Sequence, residues 1–248
     1  MSILFTIVAL LALFLFTVLI ILCKRTIVPR CCKPIQTLFQ VIERKLLFNS
    51  VLRAILEVYL ATCITMFHGF KSARTYTELE KISYLFGLAT AIFCFYFPFW
   101  TFNLLRKNAD RLSDPHFSGR FNSLYQNLDV EKYEAHPFTL VFCLRRLLFA
   151  YAITSLDRTL VFQVFFIDGT STFILCYYIT CKPMKNTVNN AIHIFNELVI
   201  LSCTWYLFLF TNYVPDPILR YDLAVYFLYV IGVNMGVNIF LLIVIILH

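Results

Sequence analysis

Long uninterrupted apolar runs recur along this chain of 248 residues and limit its fold more than any other feature. A helix needs about 20 apolar residues to cross the roughly 30 Å hydrocarbon core of a bilayer. Several runs have that length, and only 14% of the residues are charged, against roughly 25% in ordinary soluble domains. The sequence therefore predicts an all-α polytopic transmembrane bundle, a single membrane domain over residues 1–248. About seven spans are expected, at residues 2–23, 51–70, 82–105, 138–156, 159–180, 190–211 and 223–247.

Basic residues flank these spans unevenly. The loops after the first, third and fifth spans hold 13 Lys and Arg residues, and the loops after the second, fourth and sixth hold 5. Because basic loops stay in the cytosol, the N-terminus is predicted outside and the C-terminus inside. The net charge of +7 lies beside the membrane, so we expect contact with anionic lipid head groups rather than nucleic acid. Residues 35–48 combine an apolar face with a charged face and predict an interfacial amphipathic helix.

An adjacent cysteine pair, Cys31 and Cys32, lies among basic residues at the predicted cytosolic edge. This pattern is typical of palmitoylation sites, and two idle reduced thiols explain it equally well. None of the nine cysteines falls in a predicted outside loop, so no disulfide is expected.

Charged side chains inside the spans form the main candidate site. A charge near the bilayer centre costs at least about 2.5–3.5 kcal/mol, so each needs a partner or a function. Arg145 and Arg146 in the fourth span lie at nearly the same predicted depth as Glu197 in the sixth, and an arginine fork can hold a carboxylate with two bonds. Asp168 in the fifth span can take the second arginine. The predicted buried polar cluster consists of Arg145, Arg146, Asp168, His193, Asn196 and Glu197.

Two interpretations of this cluster stay open at the level of sequence. One is a hydrated path for an ion or proton, or a voltage- or ligand-sensitive element. The other is a structural clamp that orders the fourth, fifth and sixth spans. Buried ionic groups at one depth tend to pair, and most of these polar groups lie in the cytosolic half, so we favour the clamp.

Two further helix faces carry polar or small residues. In the second span Arg53 and Glu57 are four residues apart, a spacing that allows them to pair. In the last span four residues predict a helix-packing face, because small residues let backbones approach and amides bond across helices. They are Gly232, Asn234, Gly236 and Asn238.

Catalytic motifs are weak. Residues 169–172 read Gly-Thr-Ser-Thr, similar to the serine motif of rhomboid-type intramembrane proteases, and His193 lies on the next span. Ser–His catalysis needs the two side chains within hydrogen-bond reach, but Ser171 and His193 are predicted roughly 9 Å or more apart in depth. No metal, nucleotide or dinucleotide motif is present in the sequence. We expect a non-enzymatic protein without a cofactor or a bound metal.

A series of short segments carries a further signal, at residues 47–60, 121–128, 144–150, 163, 181–184, 194–197 and 213–217. In their order these segments resemble the C-terminal polytopic membrane domain of large ciliate surface proteins, and more distantly transient-receptor-potential-like membrane domains. The resemblance covers most of the chain from about residue 47 onward and implies an extracellular part before the first span. We expect a plasma or ciliary membrane, with an organellar membrane as the alternative.

Three functions are compatible with these features. The first is a non-enzymatic membrane scaffold or anchoring subunit of a larger membrane or cell-surface assembly, with other membrane subunits as partners. The second is a transient-receptor-potential-like cation channel subunit, although the predicted loop 212–222 is too short for a pore helix and filter. The third is an accessory subunit of an energy-converting membrane complex.

Overall fold

The computed structural model of the chain describes residues 49–71, 77–112, 114–210 and 214–247. The predicted first span at 2–23, the amphipathic helix at 35–48 and the pair Cys31 and Cys32 lie outside the described residues. The expectations for them stay predictions.

Seven α-helices and two short 3-10 turns account for nearly all of the described residues. The 3-10 turns, Ala109–Arg111 and Tyr133–Ala135, lie on either side of the third helix. Within the described ranges no strand forms, and the all-helical prediction is confirmed. The helices are α1 Val51–Lys71, α2 Glu78–Lys107, α3 Pro115–Tyr125, α4 Phe138–Ser155, α5 Leu160–Cys181, α6 Thr187–Leu209 and α7 Pro217–Leu247.

Six of these helices (all except α3) are long and apolar enough to cross a membrane, by length and composition. They correspond to six of the seven predicted spans, and their bounds agree to within a few residues for all but the last. This arrangement is compatible with an integral membrane protein. The seventh span and the orientation of the chain stay predictions.

Polar caps extend three helices beyond their apolar stretches. Before α2, the Thr77 side chain accepts a hydrogen bond from the Glu80 backbone at 3.3 Å, and the Glu80 carboxylate accepts from the Thr77 backbone at 3.0 Å. Asn186 accepts from the Val188 backbone before α6. Asp216 accepts from the backbone N–H of the second residue of α7, which therefore begins at Pro217 rather than at the predicted residue 223.

The contacts between residues divide the chain into two compact units. The described residues up to Gln126, together with His136–Ala150, form unit 1, and Asn127–Ala135 with Tyr151 onward form unit 2. Unit 1 contains α1, α2, α3 and the greater part of α4. Unit 2 contains α5, α6 and α7.

The core of unit 1 is built from side chains of α1, α2 and α4. Tyr59 is almost fully buried, and its hydroxyl donates to the backbone oxygen of Cys94 at 2.6 Å. Its ring lies 6.0 Å from that of Phe97. The thiols of Cys63, Cys94 and Cys143 are buried around it and carry no disulfide. The Tyr59 hydroxyl thus has a hydrogen-bond partner within an otherwise apolar contact between helices.

The polar segment between α2 and α4 folds by packing α3 against α1. Leu124 and Tyr125 are buried in this contact. Burial raises the pKa of the Tyr125 phenol, a hydrogen bond with Ser118 opposes the shift, and the protonated hydroxyl donates to the Leu112 carbonyl at 3.0 Å.

In unit 2, α6 packs against α5, which precedes it along the chain, and against α7, which follows it. The helix α5 ends because Lys182 adopts a left-handed conformation with φ of 42°. The turn that follows forms an antiparallel bridge between Met184 and Leu128. On either side of it, Asp129 N–H donates to the Pro183 carbonyl and Lys185 N–H to the Asn127 carbonyl, both at 2.9 Å.

Candidate functional site

A cavity of about 240 Å³, lined by both polar and apolar side chains, lies within unit 1 between α1, α3 and α4. Arg53 and Glu57 reach it from α1, because residues four apart share one face of a helix. Arg146 reaches it from α4, and Gln126 from the residue that follows α3. Two basic side chains, one acidic side chain and one amide therefore meet in a single cavity.

Arg146 is held in this cavity by two contacts of different kinds. Its Nη1 donates a hydrogen bond to the backbone oxygen of Leu56 in α1. Its guanidinium carbon lies 4.0 Å from the centre of the Phe142 ring, one turn earlier on α4. The ring face attracts the cation and the carbonyl accepts its hydrogen bond, so the half-buried guanidinium is fixed against α1.

Hydrogen bonds fasten α3 at the mouth of the cavity. The Thr139 hydroxyl donates to the Leu124 carbonyl at 2.6 Å, and the Ser123 hydroxyl donates to the Asn49 carbonyl at 2.6 Å. Arg53 Nη2 donates to Gln126 Oε1 at 3.1 Å. The expected pairing of Arg53 with Glu57 is not formed, and no ion pair joins them in the described part of α1. The sequence could not indicate Gln126 as the partner, because it is distant along the chain.

The predicted polar cluster is divided between the two units. Arg145 and Arg146 lie in unit 1, and the other four members lie in unit 2. The ion pair expected between Glu197 and an arginine would join the units, and it stays a prediction. Glu197 itself is buried, with a relative exposure of 3%.

Within unit 2 the polar side chains connect neighbouring helices at separate points. Between α5 and α6, the Thr204 hydroxyl donates to Asp168 Oδ1 at 3.1 Å. On the same pair of helices, the His193 ring stacks on the Tyr178 ring at 5.1 Å and 10°. Each contact links one side chain from each helix, so they act as ties between α5 and α6.

An amide pair joins α6 to α7. Asn238 Nδ2 donates to Asn196 Oδ1 at 2.8 Å, and Asn196 Nδ2 donates to Asn238 Oδ1 at 3.2 Å. Asn238 Nδ2 also lies 3.1 Å from Asn234 Oδ1, one turn earlier on α7. The predicted polar cluster and the predicted packing face of the last span thus meet in one contact. The sequence placed these residues on two helix faces but did not indicate that the faces meet.

Asn190 ties the start of α6 to the preceding turn. Its Nδ2 donates to the Met184 carbonyl at 2.9 Å, and its Oδ1 accepts from the Met184 N–H at 3.0 Å. Asn190, Glu197 and Thr204 recur every seven residues, which is close to two helical turns, and all three are buried. This spacing is the signal that could have added Thr204 to the predicted cluster. Tyr178, which has no comparable sequence signal, was missed.

The glycines of the predicted packing face make no close contact with the described residues. A Cβ added at Gly232 or Gly236 would meet no atom of them within 4 Å. Their expected role in close helix contact stays a prediction.

The serine of the protease-like motif is not joined to a base. Ser171 is buried, and no hydrogen bond links it to His193, whose ring stacks on Tyr178. In the ranges that the structure covers, no group of three or more His, Cys, Asp or Glu side chains is arranged to hold a metal ion.

The chain was compared with family models, with curated proteins and with solved structures. No family model, no curated protein and no solved structure matches it.

Proposed function

We propose that this chain is a non-enzymatic integral membrane scaffold, an anchoring subunit of a larger membrane assembly. The observation that carries the proposal is the pairwise use of polar side chains within unit 2. Asn196 bonds with Asn238, Asp168 with Thr204, and the turn before α6 with Asn190. Polar groups that form hydrogen bonds between helices stabilise the packing of those helices. A conduction path instead needs polar groups that face a water-filled lumen.

The outer faces of α2 and α7 support the same proposal. In the most apolar 18-residue stretch of α7, no residue is buried against the rest of the described chain. In the corresponding stretch of α2, only 17% of the residues are buried. Aromatic side chains such as Phe95, Tyr96 and Phe99 on α2, and Tyr226 and Tyr229 on α7, are at least half exposed. Such faces suit lipid or the helices of another subunit, and aromatic side chains are effective anchors at protein interfaces.

The resemblance to ciliate surface proteins supports placing this assembly in the plasma or ciliary membrane. It concerns short segments within the described helices, among them residues 144–150 of α4 and residues 194–197 of α6. Anionic lipid head groups on the cytosolic side and other membrane subunits are the proposed partners.

Electrical recording tests the scaffold against the channel alternative. The purified chain reconstituted in planar bilayers should give no conductance above that of protein-free bilayers. A cation conductance that is lost in Glu197→Gln would contradict the scaffold, because the buried carboxylate would then act on a permeating ion. Glu131→Gln is the matched control, since Glu131 is exposed and lies outside the spans.

The mass of the particle extracted from the membrane tests whether the chain belongs to a larger assembly. After extraction in mild detergent, the mass measured by light scattering should exceed the 29.0 kDa of one chain by at least one further subunit. A monodisperse single chain under conditions that preserve known membrane complexes would count against an anchoring role.

A further inference from the structure

The cavity of unit 1 brings together two guanidinium groups that are not neutralised by a carboxylate. Arg53 gives one hydrogen bond to Gln126, and Arg146 gives one to the Leu56 carbonyl. Each guanidinium has five N–H donors, so about four on each remain for a ligand. Among the described residues neither arginine forms an ion pair, although Glu57 lines the same cavity.

A cation held inside an apolar span without a counter-ion is costly, which makes an anion the expected occupant. Arg146 lies eight residues beyond the start of α4, roughly 12 Å along its axis. Arg53 lies only two residues beyond the start of α1. The contact between Ser123 and Asn49 brings α3 to the same end of α1. In a membrane-embedded chain the cavity would therefore extend inward from the level of the lipid head groups.

We propose that this cavity binds a phosphate group, with Arg53 and Arg146 as the ligating side chains. Arginine is suited to phosphate because its planar fork gives two parallel hydrogen bonds. The Thr139 hydroxyl, which also lines the cavity, donates to the Leu124 carbonyl and keeps the wall of α3 in place. The proposal requires only that the chain is membrane-embedded, and it is independent of the scaffold role.

The size and lining of the cavity favour a membrane phospholipid as the source of the phosphate. Its volume of about 240 Å³ lies below the roughly 300–1,000 Å³ of sites for drug-sized ligands, so it suits a phosphate and a few adjoining atoms. Leu56, Phe138 and Phe142 line the remaining wall and offer an apolar surface for the first part of an acyl chain. A soluble phosphate would use the arginines alone.

Lipid retention measured by native mass spectrometry tests the proposal. The protein is released from phosphatidylcholine nanodiscs that contain phosphatidate, whose monoester phosphate carries a charge of about −1.5 to −2 at pH 7. We expect one phosphatidate to be retained by the unmodified chain and its retention to fall about tenfold in Arg146→Gln. Arg145→Gln, which removes the same charge from the neighbouring position outside the cavity, should leave the retention unchanged. Equal retention in the unmodified chain and in Arg146→Gln would overturn the proposal.

Thermal unfolding in neutral detergent distinguishes the two phosphate sources. Phosphatidate at about ten times its dissociation constant should raise the unfolding midpoint by roughly 3–6 °C, and this rise should vanish in Arg146→Gln. An equal, Arg146-dependent rise with inorganic phosphate would assign the site to a soluble phosphate instead of a lipid. If neither probe gives an Arg146-dependent rise, the cavity is not a phosphate site. Arg53→Gln, at the exposed end of the cavity, provides the same test if Arg146→Gln does not fold.

Glu57 supplies an opposite test within the same cavity. Its carboxylate repels an anion, so Glu57→Gln should increase phosphatidate retention several-fold and leave the unfolding midpoint without lipid nearly unchanged. If Glu57 were itself the counter-ion of the arginines, the same substitution would lower the midpoint and would not increase retention. That result would overturn the proposal.

Discussion

Replacing Asn190 with alanine should lower the free energy of unfolding in detergent micelles by about 2–5 kcal/mol, because it leaves two buried backbone groups without partners. Leu128 and Met184 face each other in the antiparallel bridge, and the hydrogen bonds of the bridge come from the residues on either side of them. The N–H and C=O of Met184 therefore point away from Leu128. The Asn190 amide is their partner, at 3.0 and 2.9 Å.

Asn189→Ala is the matched control. Asn189 is the neighbouring asparagine, half-buried at the start of the same helix, and its loss should change the free energy of unfolding by less than about 0.5 kcal/mol. Unfolding can be followed by circular dichroism, and hydrogen exchange of the Met184 and Lys185 amides should accelerate in Asn190→Ala alone. Similar effects of the two substitutions would show that the tie to Met184 contributes nothing specific.

The amide pair between α6 and α7 should appear as a coupling of about 1–2 kcal/mol in a double-mutant cycle. Each of Asn196→Ala and Asn238→Ala removes both interhelical hydrogen bonds and leaves the other amide unpaired across the helices. Interhelical hydrogen bonds in membranes contribute about 0.6 kcal/mol on average and up to about 1.7. The double substitution should therefore cost less than the sum of the two single ones.

A second cycle controls for general loosening of α6. Asn189→Ala combined with Asn238→Ala should be additive, because Asn189 lies at the start of α6 and makes no bond to the described residues of α7. The free energies come from unfolding in mixed micelles. If Asn196 and Asn238 were as additive as this control pair, the amides would not interact in the folded protein. The support of the scaffold proposal from this contact would then be lost.

The helical spans could be predicted because their signal is local. An apolar run of about 20 residues indicates a helix long and apolar enough to cross a bilayer. Six such runs coincide with helices of the described structure. The starts of α6 and α7 were predicted too late because hydropathy ends where polar residues begin, whereas a helix continues to its cap. Asn186 and Asp216 provide those caps.

The candidate sites were predictable only in part. Helical spacing placed Asn196 and Asn238 on polar faces of their own helices, and the cost of a charge inside an apolar span indicated that Arg146 needs a partner. It could not indicate that this partner within unit 1 is a backbone carbonyl of α1 and an aromatic ring of α4. The cavity between α1, α3 and α4 had no sequence signal, because its walls come from segments that are far apart along the chain.

The amino-acid sequence by itself determined that the chain is helical and where six apolar spans lie. It also determined which polar side chains each apolar run carries. The tertiary structure alone decided that Asn196 meets Asn238, that Asp168 meets Thr204, and that Arg53 meets Gln126. The physical reason is that periodicity defines a face of one helix, whereas the rotation and neighbours of that helix depend on packing along the whole bundle.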